Sequence, residues 1–274
     1  MVLGWDVSTL ALQIPVGTAL ALAIGLISLK ARFLTVSGVI ALGFIGFATF
    51  GLGGIAWALP IFAFFLPSSL ITRIGKGCKQ TVSQIHQKGG RRDMGQVIAN
   101  GGVAGALALL YFLWQQPVFY FAYVASLGAA AADTWSAELG VLSPEHPHLI
   151  TTWRRVEPGI SGGVTAVGTL GGLVGASVVY VAALPFAGIL AGWQVYGSVL
   201  LCALGGNIVD SLLGATLQEK RQCKVCGGVT ERVEHCGCVT EAVGGISGFD
   251  NDLVNLVCTS VGAGLGITVY GLLI

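Results

Sequence analysis

The chain is predicted to be an all-α, polytopic bundle of about eight membrane-spanning helices, and three observations predict it. Hydrophobic residues make up 54% of the sequence and charged residues only 10%. Apolar runs recur at close to the ~20 residues that a helix needs to cross ~30 Å of hydrocarbon. Every Lys and Arg falls in an alternate connection between those runs. A net charge of +1 gives no footprint for nucleic acid.

In order, the runs are residues 10–29, 33–50, 55–71, 97–114, 118–132, 164–184, 189–213 and 253–273. The first follows Asp6 with no basic residue before it, unlike a secretory signal, and reads as a mature helix that starts outside. The second and third share one long apolar stretch, broken only near residues 51–54 and at Pro60, so one of them is open to a re-entrant reading. Lys30 and Arg32 fall in the first connection; Arg73, Lys76, Lys79, Lys88, Arg91 and Arg92 in the third; Arg154 and Arg155 in the fifth; Lys220, Arg221, Lys224 and Arg232 in the seventh. The positive-inside rule makes those connections cytoplasmic and puts both termini on the other side. Residues 1–274 form a single membrane domain with a Cys-rich cytoplasmic loop at about 217–250. Glycines spaced by four, as in Gly101 with Gly105, Gly168 with Gly172, Gly171 with Gly175 and Gly262 with Gly266, predict close helix packing.

Polar groups at the membrane edge are costly, and five clusters of them stand out. Arg91-Arg92-Asp93 opens the fourth run, with Asp93, Gln96 and Asn100 at i, i+3 and i+7 on one stripe. Ala132-Asp133-Thr134-Trp135-Ser136-Ala137-Glu138 closes the fifth. Asp133 and Glu138 are about 140° apart on an ideal helix, so both point inward to share Mg²⁺ only if the last turn unwinds. Thr151, Thr152, Arg154, Arg155 and Ser161 precede a Gly-rich helix start. That pattern suits an anion site and equally a turn resting on lipid headgroups. Asn207, Asp210 and Ser211 stack at i, i+3 and i+4 late in the seventh run. Asn251, Asp252 and Asn255 open the last, where Asp250 is either a site residue or a helix cap. Oxygen ligands with arginines suit Mg²⁺ and phosphate better than a soft metal.

In the seventh loop, Cys223-x-x-Cys226 precedes Cys236-x-Cys238, with His235 alongside. Paired thiols in a predicted cytoplasmic loop read as a structural Zn²⁺ knuckle, with free thiols as the alternative. Gly75-Lys76 is followed by Gly77 and lacks the upstream glycine spacing, so no P-loop is present.

The five segments read Arg-Arg-Asp-x-Gly-Gln-x-x-Ala-Asn-Gly-Gly-Val, Ala-Asp-Thr-Trp-Ser-Ala-Glu-Leu-Gly, Thr-Thr-x-Arg-Arg-Val-x-Pro-Gly-x-Ser-Gly-Gly-Val-Thr, Gly-Asn-x-x-Asp-Ser-x-x-Gly-Ala and Asn-Asp-x-Val-Asn. From about Lys30 onward, the chain resembles the integral-membrane family of transmembrane protein 19 and plant phytyl-phosphate kinase. The resemblance to the kinase branch implies phosphorylation of a phytyl or other isoprenyl monophosphate to the diphosphate, as in tocopherol biosynthesis. It also implies a nucleoside triphosphate donor, with CTP expected. On that reading Asp133, Asp210 and Asp252, with Glu138, hold Mg²⁺. Arg91, Arg92, Arg154 and Arg155 clamp phosphates, with Asn100, Asn207 and Asn255 orienting them. Thr151, Thr152, Ser161, Asp93 and Asn251 complete the expected binding set, and the partners are membrane lipid, isoprenyl phosphate and nucleotide. The expected setting is the cytoplasmic face of a prokaryotic plasma or photosynthetic membrane. A cation- or proton-coupled transporter is the alternative class.

Overall fold

The computed structural model describes residues 7–74, 85, 90–186, 188 and 191–273. Asp6, Lys76, Lys79, Lys88, Cys78 and the Gly75-Lys76-Gly77 segment lie outside them.

Among the described residues, eight α-helices match the eight apolar runs. They are α1 (Val7–Lys30), α2 (Val36–Gly46), α3 (Ile55–Ile71), α4 (Met94–Trp114), α5 (Pro117–Gly140), α6 (Ala166–Ala183), α7 (Trp193–Thr216) and α8 (Asn251–Leu273). By length and composition, α1, α4, α6, α7 and α8 can each cross a membrane. On α1, Leu12, Val16, Leu26 and Ile27 face outward, as lipid contact requires.

The break expected near residues 51–54 is present. Helix α2 runs into a π-helical segment, Phe47–Leu52, and Gly54 adopts φ 71° before α3 begins. The left-handed backbone there suits glycine, which has no Cβ to clash. From α1, the Gln13 amide donates to the carbonyls of Gly51 (3.1 Å) and Leu52 (3.0 Å), giving the break the partners its own ladder lacks.

Helix α5 is the axis of the bundle and packs against α3, α4, α6, α7 and α8. From Tyr120 to Ala132 it is buried on every side. Its run of Gly128 and four alanines lets neighbours approach, and the glycine pairs read from the sequence supply the matching surfaces. A Cβ on Gly172 of α6 would stand 2.8 Å from the Ala132 carbonyl oxygen, and one on Gly262 of α8 2.8 Å from the Ala129 Cβ. Gly101 and Gly105 of α4 face Ile45 of α2 instead. This is small-residue packing of the kind that holds helices together in lipid. At the other end of α5, Tyr120 and Tyr123 surround Trp57 and donate to the carbonyls of Ala56 and Trp57.

The helix class holds, but two loops add short strands that hydropathy does not reveal. β1 (His148–Leu149) pairs antiparallel with β2 (Gly163–Val164) across the loop before α6. Between α7 and α8, β3 (Lys220–Gln222) is flanked by β4 (Val229–Thr230) and β7 (Glu241–Gly244). In the same loop β5 (Glu234–His235) pairs with β6 (Cys238–Val239). Helix α5 also runs well past the expected end at 132, so Asp133 and Glu138 both sit on regular helix.

Candidate active site at the helix ends

The ends of six helices enclose one cavity of about 610 Å³. The C-terminal ends of α3, α5 and α7 meet the N-terminal ends of α4, α6 and α8 there, with the β1–β2 loop and the Cys-rich loop over them. Among the described residues its wall includes Asp133, Glu138, Asp210, Glu231, Asp250 and Asp252, six carboxylates, against the single guanidinium of Arg92.

The deepest feature joins three helices. Asp133 of α5 and Asp210 of α7 lie within hydrogen-bonding reach of each other. Asn255 of α8, 8% exposed, bridges them. With its side-chain amide assigned the orientation that its neighbours' donors and acceptors require, its nitrogen donates to Asp210 Oδ2 (3.1 Å) and Asp133 Oδ2 (3.2 Å), and its oxygen accepts from Asn251 Nδ2 (3.2 Å). One turn earlier on α7, Asn207 Nδ2 donates to Ser136 Oγ at 3.0 Å. Carboxylates held this close in a bundle need a proton or a cation between them.

Helix α5 does not unwind to bring Glu138 to the site. The helix continues to Gly140, and Glu138 lies on another wall of the same cavity, where Thr72 Oγ1 at the end of α3 donates to its Oε1 at 2.7 Å. Arg92 faces Glu138 across that wall, with its guanidinium over the rings of Phe64 and Phe65. Burial lowers the Arg92 pKa from its ordinary value, and Glu138 opposes the shift.

The helix caps explain other predicted residues. Asp93 caps α4 by accepting from the Gln96 amide at 3.0 Å, and the Gln96 side chain accepts from the Asp93 N–H to close a capping box. Asn100 Nδ2 donates back to the Gln96 carbonyl at 3.0 Å, and Gln96 and Asn100 line the cavity. Asp250 accepts from Leu253 N at 3.1 Å, the capping role left open by the sequence, while also lining the cavity. Asp252 and Asn251 line it as well.

Other predicted residues stand apart. Arg91 donates to the Leu34 carbonyl at 3.0 Å, in the stretch where Leu34 and Arg92 form an isolated bridge. Thr151, Thr152, Arg154 and Arg155 are exposed on the β1–β2 loop outside the cavity wall, next to Trp153, which is 70% exposed.

Ser161 lines the cavity, but its hydroxyl donates to Glu231 Oε1 at 2.7 Å. Sequence reasoning missed Glu231. It sits in the Cys-rich loop with no motif around it, and only the folding of that loop back over Ser161 and Gln218, whose amide donates at 2.8 Å, brings it to the cavity. In the same loop Cys223, Cys226, His235 and Cys236 converge. Cys202 and Cys258 are buried in helices.

The fold and site therefore define an integral-membrane helix bundle with an acidic pocket at one end. The chain belongs to the family described as integral membrane protein DUF92, whose model matches residues 19–263. It is 31% identical over 250 residues to an uncharacterised membrane protein of Methanocaldococcus jannaschii, covering 88% of this chain and 87% of that one. Protein PGR of Arabidopsis thaliana is 32% identical, with 84% and 86% covered. The chloroplastic protein VTE6 of the same plant is 24% identical, covering 84% of this chain and 63% of VTE6. No solved structure matches the chain.

Proposed function

We propose that the protein is a membrane phosphotransferase that converts an isoprenyl, phytyl-like monophosphate to the diphosphate, with a nucleoside triphosphate such as CTP as donor. One observation carries the reading. Five segments far apart in sequence, the same five that resemble the phytyl-phosphate kinase family, each contribute to one cavity that carries, among the described residues, six carboxylates and one arginine. The similarity to VTE6 supports it.

The chemistry asks little covalent help of the protein. An oxygen of the acceptor monophosphate attacks the γ-phosphorus, a P–O bond forms, and the bond to the β–γ bridging oxygen breaks to release the nucleoside diphosphate. A phosphate monoester is already ionised and needs no general base, so catalysis rests on positioning and charge neutralisation. The donor set is all oxygen, which fits Mg²⁺. Asp133 and Asp210 would hold it, with Asp252 and Glu138 on the surrounding walls. Bound Mg²⁺ would neutralise phosphate charge beside carboxylates that otherwise repel it. Asn255 orients the two aspartates, and Arg92 supplies fixed positive charge. Arg154 and Arg155, on the exposed loop, meet the headgroup of the incoming lipid. The reaction faces the cytosol in a prokaryotic plasma or photosynthetic membrane.

A transporter needs polar groups along a path, yet every described residue lining the cavity lies in the half of its helix nearest one end of the bundle or in the loops at that end. Purified protein given γ-labelled CTP, Mg²⁺ and phytyl, geranylgeranyl or farnesyl monophosphate should yield labelled prenyl diphosphate, abolished by chelation of Mg²⁺. Absence of transfer from any nucleotide to any of these acceptors, with folded protein, would sink the proposal and turn attention to flux assays in liposomes.

A further inference from the structure

The loop between α7 and α8 gathers more ligand-type side chains than a surface loop needs. The ligand atoms of Cys223, Cys226, His235 and Cys236 all lie within 4.8 Å of one another. His235 Nδ1 is 3.6 Å from Cys226 Sγ and 3.2 Å from Cys236 Sγ. Edges of about 3.5 Å are what a tetrahedral ion imposes on ligands bonded at about 2.0 Å and 2.3 Å. The backbone is shaped for the same purpose. Gly227, with φ 70°, turns the chain so that its N–H reaches the Cys223 carbonyl at 2.9 Å. Cys236 and Gly237 carry φ of 52° and 73° through the second turn, a tight bend that presents the Cys236 sulfur inward. A non-glycine residue held at positive φ is strained unless surrounding contacts repay it.

We propose that this loop binds one Zn²⁺ through Cys223, Cys226, His235 and Cys236, and that the ion holds Glu231 at the mouth of the cavity. The structure gives the fourth corner to His235 rather than to Cys238, the residue expected from thiol spacing, because the four ligand atoms that lie mutually within 4.8 Å are those of Cys223, Cys226, His235 and Cys236. Four protein ligands close the site, so its role is structural rather than catalytic. Glu231 lies between the two turns that supply the ligands. Cys223 and Cys226 sit in the turn joining β3 to β4, while His235 ends β5 and Cys236 lies in the turn that follows it into β6. An ion that ties these turns together fixes the short segment linking them, whose Glu231 accepts from Ser161 and Gln218. The metal assignment rests on the loop alone and is independent of the phosphotransfer reading.

The test is metal analysis of full-length protein purified from zinc-supplemented cells, with Co²⁺ exchange to read thiolate coordination from its charge-transfer absorption. Equimolar zinc is expected, reduced at least tenfold in Cys226→Ser and His235→Ala and retained in Cys238→Ser and in Asp133→Asn. Hydrogen exchange across residues 229–232 should accelerate when zinc is stripped from the wild type. The metal claim falls if the folded wild type takes up neither zinc nor Co²⁺, or if Cys226→Ser keeps its zinc. Zinc lost in Cys238→Ser but kept in His235→Ala would overturn the ligand set. Unchanged exchange on stripping would overturn the role assigned to Glu231. Should the variants fail to fold, Co²⁺ spectra of the wild type still decide, since the absence of thiolate bands refutes the site.

Discussion

The aspartate pair inside the bundle and the thiol cluster in the loop above it solve the same problem in opposite ways. Each brings like groups together at a distance where they repel unless a cation or proton intervenes. Asp133, Asp210 and Asn255 come from three helices and meet because Gly206 of α7 and Gly262 of α8 both pack closely against Ala129 of α5. The ligands of the loop come from a segment of fourteen residues, 223–236, and meet because two turns bend the chain back on itself. The first arrangement is held by the whole membrane core and the second by local backbone geometry. A site of the first kind tolerates no change in helix packing, whereas a site of the second kind survives or fails with its own loop.

Crossed substitutions give the largest expected effect. Asp133→Asn or Asp210→Asn should lower phosphotransfer by on the order of 10²-fold or more, while leaving the detergent-solubilised protein folded and its loop intact. Cys226→Ser should loosen the loop and leave the thermal stability of the bundle unchanged. Turnover assays run beside melting curves separate the two, and an active Asp210→Asn enzyme would remove Asp210 from the site.

A packing change should reach only the first region. A Cβ on Gly172 would press against the Ala132 carbonyl, one residue before Asp133. Gly172→Val is expected to destabilise the bundle by about 1–3 kcal/mol, the usual cost of overpacking a fitted interface. Turnover should fall with it. The melting temperature checks the first statement, and wild-type stability with full activity would refute both.

The smallest effect sharpens the border between the regions. Asp250→Ala removes the N-terminal cap of α8, worth about 1 kcal/mol. Because Asn251 and Asn255 ride on the same helix start, turnover should fall modestly, with little change in the affinity of the loop for metal. Metal titration of the variant against the wild type measures this.

Different physics made different parts of the molecule legible. Burial in lipid demands long apolar runs, so the helices could be read from hydropathy, and a π-helical turn with Gly54 stands where the second and third runs were expected to separate. The Cys-x-x-Cys and Cys-x-Cys spacings announced the loop cluster because its members are sequence neighbours. The polar clusters were visible one at a time, as residues too costly to keep at a membrane edge without a role.

Their meeting was not visible. Nothing in local sequence says that Asn255 bridges Asp133 and Asp210, that Glu138 turns to Thr72, or that Glu231 folds onto Ser161. Hydropathy and spacing by themselves determined that this is a bundle of membrane helices with charge gathered at one face. Only the tertiary structure decided which of those charges share a cavity, because side-chain convergence depends on helix rotation and on the close approach that glycine contacts permit. Neither is encoded in any single segment.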